Sequence, residues 1–299
     1  MRVLVTGGTG FIGRNVVDQL LQAGVTDLAV TTRDPARNDR WQGRVRLEQA
    51  FAGDPLSLGK AMTGADVVVH AIQFPNHPVE DPSRGRTYME VDGAGTEVAA
   101  RVAKALGVRR FVYLSGAGAG ENRPQRWFRA KDRAETAIRE SGMEYAILRP
   151  SWIYGPGDRS MSKFAAFCRY LPAVPQIGDG TTPVYPAYVK DVARAVATLV
   201  TREDAKDKVL ALGGPERLTM DQVVNTLQKV LGTHRPIVHH PVKLMKILTL
   251  PLLLVPNAPM SPGAVDFVTQ VVEMDPKPAM DYLGFAFRPL EAALREYVR

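Results

Sequence analysis

The sequence predicts an α/β fold built on a doubly wound parallel sheet, and three observations predict it. A glycine-rich turn stands between a short apolar run and a helical segment. Strand and helix signals alternate through the first half of the chain. A late strand-like run at 208–212 is placed to return to the sheet. Residues 1–13 read MRVLVTGGTGFIG: Val3, Leu4 and Val5 make a buried parallel strand, Gly7 and Gly8 a tight turn, and Gly10 brings backbone close to a pyrophosphate. Gly13 lets the following helix lie against the sheet. That helix is predicted over Asn15–Ala23, with Val16, Val17, Leu20 and Leu21 at helical spacing, and its N-terminus aims unpaired N–H groups at the phosphates. A lone GxGxxG is weak, but one that follows a strand and opens a helix has the context of a dinucleotide-binding turn.

Further strands are predicted at Leu28–Thr32, Val67–Ile72, Arg110–Leu114 and Tyr145–Leu148, with helices over Ser57–Met62, Thr96–Leu106 and Asp132–Ser141. Repeated βαβ units give a parallel sheet covered on both faces. Asp54 and Pro55 read as the N-cap and first-turn proline of the short helix. After Arg149 the alternation is broken by Pro150, Pro156, Pro172, Pro175, Pro183 and Pro186, as excursions from the sheet require. Val189–Val200 then reads as a helix, Lys208–Leu212 as the returning strand, and Thr219–Leu231 as a helix capped by Thr219. The expected organisation is a dinucleotide-binding domain over 1–160, with later returns near 185–213, and a substrate-binding lobe mainly over 161–299.

The 299 residues, 45% hydrophobic, suffice for a large core. The net charge of +7 arises from 38 basic residues scattered along the chain, with no basic run interleaved with aromatics, so nucleic acid is not an expected partner. The single cysteine, Cys168, excludes an internal disulfide; it lies in an apolar run and is expected buried and inert in a reducing compartment. His70, His77, His234, His239 and His240 show no convincing ligand spacing, and the adjacent pair points to opposite faces of a strand, so no metal is expected. No charged n-region leads an apolar h-region, so no cleaved signal is expected and the location reads as cytoplasmic. Leu244–Val255, LMKILTLPLLLV, is too short to span a bilayer and is interrupted by Lys246 and Pro251. It reads as the wall of an apolar substrate cleft or as a contact in a homo-oligomer, rather than as a stable membrane insertion.

VTGGTGFIG at the start, VVVHA at 67–71, FVYLSG at 111–116, LRPSWIYGPGD at 148–158, YVKDVARAV at 188–196 and LGGPERLTM at 212–220 together resemble the extended and atypical short-chain dehydrogenase/reductases. Within that superfamily the chain is most similar to bacterial NAD(P)-binding relatives of the nucleotide-binding accessory subunit of respiratory complex I. The resemblance implies a Rossmann-type domain with a small C-terminal substrate lobe. It also implies a cofactor lying against Thr6, Gly7, Gly10, Phe11, Ile12 and Gly13, and further along against His70, Ala71, Ser115, Lys131, Pro150 and Ile153.

Twenty residues past Gly13, where an acidic residue would hold a ribose 2′-hydroxyl, stands Arg33, preceded by Thr32 and followed by Arg37. A guanidinium pairs bidentately with phosphate, so NADP(H) is expected over NAD(H); the competing reading of Arg33 is an exposed loop charge. Phe51, where relatives meet the adenine, reads equally as a stacking ring and as core.

Relatives use a tyrosine four residues before a lysine, on one face of a helix, as general acid or base. Lys131 matches the lysine, but Trp127 stands in the tyrosine's place. An indole cannot exchange a proton; it offers a flat apolar wall and one N–H donor. The usual serine or threonine is missing from SGAGAG at 115–120, leaving Ser115, one position early, as a hydrogen-bond donor. A proton for hydride chemistry would come from Tyr154, Lys131, Tyr188 or water, Tyr154 otherwise packing its loop. The leading expectation is an NADP(H)-dependent oxidoreductase acting on a small, fairly apolar carbonyl, imine or quinone-like substrate. The alternatives are a non-catalytic NADPH-binding sensor or assembly protein, and a nucleotide-sugar epimerase or dehydratase, the last weakened most by the missing tyrosine.

Overall fold

The computed structural model describes residues 1–37, 40–121, 123–255 and 258–298, with the side chain of Arg37 outside that description. The chain forms two compact units. The first comprises Met1–Pro75, Gly85–Pro150 and Val189–Leu212; the second comprises Asn76–Arg84, Ser151–Tyr188 and the chain from Gly213 onward.

In the first unit the strands are β1 (Arg2–Thr6), β2 (Asp27–Thr32), β3 (Arg46–Gln49), β4 (Val67–His70), β5 (Arg110–Leu114), β6 (Glu144–Pro150) and β7 (Lys208–Leu212). They form one parallel sheet in the order β7-β6-β5-β4-β1-β2-β3. The helices are α1 (Phe11–Gln22), α2 (Pro55–Met62), α3 (Gly95–Ala105), α4 (Arg126–Glu140) and α5 (Val189–Thr201). This is the Rossmann-type doubly wound fold. Chain order reverses beside β1, where β2 lies on one side and β4 on the other, so a crevice opens at the carboxyl ends of β1 and β4. Thr6 and His70 are register partners at that point.

One sheet face, with Leu4, Val68, Phe111 and Ile147, packs against Leu58 and Met62 of α2, three alanines of α3, and Ala134 and Ile138 of α4. The other face is covered by α1 and α5, which lie against each other. Helix α2 begins as its sequence dictates: the Asp54 carboxylate accepts the N–H groups of Leu56 and Ser57, with Pro55 in the first turn.

Helix α1 begins at Phe11 rather than Asn15 and α2 at Pro55 rather than Ser57, and two further helical segments also start ahead of their apolar patterns. Helix α4 starts at Arg126 rather than Asp132, because its buried face includes Lys131 and Glu135 and is masked as an apolar stripe. Ahead of α3, a π-helical turn over Tyr88–Ala94, capped by the Thr87 hydroxyl accepting from the Glu90 N–H, carries Tyr88 and Asp92 inward.

The second unit holds helices Ser160–Tyr170, Met220–Leu231, Val242–Thr249, Pro262–Val268, Lys277–Leu283 and Leu290–Tyr297, with short strand pairs between them. Thr219 and Gln222 form a capping box on Met220–Leu231, and Gly232 ends that helix in the left-handed conformation. Among the described residues, no helix is long and apolar enough to cross a membrane.

Candidate functional site

The glycine turn leaves no room for side chains. Gly7 has φ +71°, and a Cβ there would stand 2.7 Å from the Ala71 carbonyl oxygen; a Cβ on Gly13 would overlap the Gly7 carbonyl and stand 2.6 Å from Gly8 Cα. The Gly7 N–H donates to the Thr31 hydroxyl at 3.1 Å, which fastens the turn to β2. Helix α1 starts at Phe11 from a Gly10 N-cap that offers its first turn no side-chain acceptor. A tight backbone cradle beneath an uncapped helix N-terminus fits a pyrophosphate: the N–H groups of Phe11, Ile12 and Gly13 are donors that such an anion satisfies.

At the end of β2, Thr32 is half-buried and Arg33 is exposed. The Arg33 carbonyl accepts from the Gln49 amide at 3.1 Å, and its guanidinium has no carboxylate partner among the described residues. The side chain of Arg37 lies outside the described residues. Phe51 is 46% exposed beyond β3, which rules out its reading as core and leaves its ring open to a ligand.

In the crevice, His70 bridges two hydroxyls: Nδ1 lies 2.8 Å from Thr6 Oγ1 and Nε2 lies 3.2 Å from Thr96 Oγ1. Burial, helped by the nearby Lys131 charge, pushes the imidazole down to about 3, so it is neutral at ordinary pH. Ala71 follows, its N–H donating to the Thr6 carbonyl at 3.0 Å. His70 is therefore a structural member of an uncharged hydroxyl chain.

Sequence reasoning missed Asp92. It is fully buried and accepts from Lys131 Nζ at 2.9 Å, while the ammonium, 2% exposed, also donates to the Tyr113 hydroxyl at 3.2 Å. Burial pulls the ammonium's pKa down, but the Asp92 carboxylate and Tyr113 more than offset this and hold it above the usual range. Burial likewise raises the Tyr113 phenol, keeping it protonated. The Trp127 ring lies 4.9 Å from Lys131 Nζ and packs edge-on to Tyr88 at 5.4 Å. A Cβ on Gly116 would overlap Trp127 Cζ2, so the glycine after Ser115 makes room for the indole. The only signal for Asp92 in the sequence is an acid within the otherwise uncharged VDGAGT, whose partner lies 39 residues away.

Two candidates are corrected. The Ser115 hydroxyl is committed to buried Glu135, donating at 2.6 Å to a carboxylate that also takes Arg149 and Arg139, so it is not offered to a substrate. Tyr154 belongs to the second unit and has no exposed surface; its ring tilts against Tyr188 at 5.7 Å, a packing role rather than that of a proton donor. Tyr188 is also buried, donating to Glu296 at 3.1 Å. Pro150 closes β6, its carbonyl accepting from the Ala117 N–H at 2.9 Å, and Ile153 lies half-buried in the second unit, paired with Ala187. Cys168 is buried, and burial raises its thiol pKa, as an inert cysteine requires.

The model of a family described as NAD(P)H-binding matches residues 7–167, the span that contains the glycine cradle, His70, Asp92 and Lys131. The chain belongs to this NAD(P)H-binding family. It is 30% identical over 254 residues to the mitochondrial NADH dehydrogenase (ubiquinone) 1 alpha subcomplex subunit 9 of Arabidopsis thaliana, covering 83% of this chain and 62% of that protein. It is also 30% identical over 194 residues to a ceramide reductase of Caulobacter vibrioides, covering 64% and 58%. The chain spans 62% and 63% of the length of the plant and mouse subunits it matches. Its fold is that of an NADPH-dependent quinone oxidoreductase from Escherichia coli, with TM-score 0.76, 19% identity, and 99% and 100% of the two chains covered. As a member of an NAD(P)H-binding, oxidoreductase-like family, the chain has a nucleotide as its expected ligand. Bound, that ligand would lie along the Gly7–Gly13 cradle and supply hydride chemistry.

Proposed function

We propose that the chain binds NADP(H) through its first unit and carries out no tyrosine-dependent proton transfer, which makes it a nucleotide-binding protein on a reductase scaffold. The observation that carries this reading is the buried Lys131–Asp92 pair. A lysine that serves catalysis presents its ammonium to the cofactor ribose and to the tyrosine one helical turn before it; here the ammonium is 2% exposed, held by a carboxylate at 2.9 Å and by the Tyr113 hydroxyl of β5 at 3.2 Å, and roofed by Trp127. Arg33, exposed and without a carboxylate partner among the described residues, supports the 2′-phosphorylated cofactor.

Fluorescence titration with NADPH, followed by NADPH oxidation assays against a panel of carbonyls and quinones, tests the reading. Saturable binding with no turnover above the protein-free rate is expected. Brisk oxidation with any member of the panel would overturn it in favour of the second reading, a reductase of a fairly apolar carbonyl or quinone-like substrate. The observation favouring that second reading is the ceramide reductase among the relatives.

A further inference from the structure

We propose that Val242–Val255, in the second unit, is a peripheral docking surface for an anionic lipid bilayer. The segment is a helix, Val242–Thr249, running into a single 3₁₀ turn, Pro251–Leu254. Its inward stripe is already used: Thr249 is buried, and Leu252 packs with Val79, Ala258 and Ala264. The outward side is apolar as well. Ile247 is 62% exposed, Leu253 63% and Leu254 89%, and Leu248, Leu250 and Val255 are each about half exposed or more. A helix that is apolar on every side is normally covered on every side, so the exposed half calls for an apolar medium.

Three features select a lipid surface as that medium. The exposed residues are aliphatic, without the aromatic anchors that dominate protein interfaces, and they run from the end of the helix through the 3₁₀ turn. Along the chain no Asp or Glu occurs between Asp221 and Asp266, while four cations do; Lys246 is paired with Asp266 and Lys229 with Glu291, which leaves Lys243 as the cation next to the apolar residues. Lys243, exposed beside the apolar face, is placed to meet lipid phosphate. Finally, the turn carries its own hydrogen bonds. The N–H groups of Leu250, Leu253 and Val255 donate to the carbonyls of Ile247, Leu250 and Leu252, and the Thr249 hydroxyl donates back to Met245 and Lys246, so these groups enter an apolar layer already paired. The length is that of a segment lying in the interface, not crossing it.

The test is co-sedimentation of the full chain with vesicles of phosphatidylcholine alone or mixed with phosphatidylglycerol, at low and high salt, alongside light scattering without lipid. Binding to the phosphatidylglycerol vesicles, weakened by salt and by Lys243→Glu, is expected. The double variant Leu253→Asp with Leu254→Asp should weaken it by at least about tenfold, the loss expected when two inserted aliphatic side chains become carboxylates. Both leucines are exposed, so the variant should keep the wild-type melting temperature and NADPH affinity, which separates loss of docking from loss of fold. Absence of wild-type binding to the anionic vesicles, or equal binding by the double variant, would overturn the proposal. So would a lipid-free dimer that the double variant converts to monomer, which would make the surface a self-interface.

Discussion

The indole of Trp127 occupies the space that a Cβ at Gly116 would fill: the added carbon would overlap Cζ2 and stand 3.0 Å from Cη2. The two residues are eleven apart in sequence, one just past β5 and one in the first turn of α4, and the ring's position requires a residue without a Cβ at 116. Gly116→Ala should therefore force the ring to move and destabilise the fold by about 1–3 kcal/mol, the usual penalty of overpacking. Paired with Trp127→Tyr, whose smaller ring vacates part of the space, the same alanine should be better tolerated. Chemical denaturation of the two single variants and the double variant measures this; additive losses would show that the residues are not coupled.

Asp92 holds a buried cation in place. Asp92→Asn leaves the Lys131 ammonium without its counter-charge and should destabilise the protein by about 3–5 kcal/mol, whereas joint replacement by Lys131→Met and Asp92→Leu should cost much less. Equal losses from the single and double replacements, read by urea unfolding, would remove the ion pair from the account.

His70 gives the fold a pH dependence of definite sign. Its folded value of about 3 lies below the ordinary 6.5, mainly through burial. Between those values the unfolded ring holds a proton that the folded ring rejects, so stability is full above about pH 6.5 and declines as the pH falls through that window. Lowering the pH from about 7.5 to about 5 should remove about 2 kcal/mol of stability through this residue alone. A His70→Asn variant should lack that part of the acid sensitivity; an unchanged profile in denaturation midpoints would argue against a neutral His70.

Arg33→Ala should weaken NADPH binding by about tenfold or more and leave NADH nearly unaffected, because only the former has a 2′-phosphate for the guanidinium. Isothermal titration with both cofactors decides it, and an equal loss for the two would place Arg33 elsewhere in recognition.

Phe51→Ala should lower the affinity for both cofactors by a similar factor, about three- to tenfold, as loss of a stacking ring does. The melting temperature should hardly change, since the ring is 46% exposed. A drop in stability with intact binding would return Phe51 to a packing role.

Much of the first unit was legible because its signals are local. Strands 110–114 and 208–212 match their apolar runs residue for residue, and the Gly7–Gly13 turn and the Asp54–Pro55 start of α2 are written in adjacent residues. Trp127 and Lys131 were legible because a one-turn spacing survives substitution. What escaped was the partner of each. Asp92 sits on a π-helical turn that no apolar period marks, and the Ser115 hydroxyl is claimed by Glu135, twenty residues on, through a charge buried in a face expected to be apolar. Long-range pairing of buried charges leaves no trace in periodicity, and those pairings are what the proposed reading of the site rests on.

The cancellation of Lys131 by Asp92 also bears on how the protein would respond to metabolic state. Oxidised and reduced nicotinamide differ by one positive charge on the ring. A lysine left exposed would repel the oxidised form and favour the reduced one, whereas a pair summing to zero gives Coulomb's law little purchase on the difference. For a nicotinamide bound as proposed above, this pair would then contribute little to any preference between the oxidised and reduced forms.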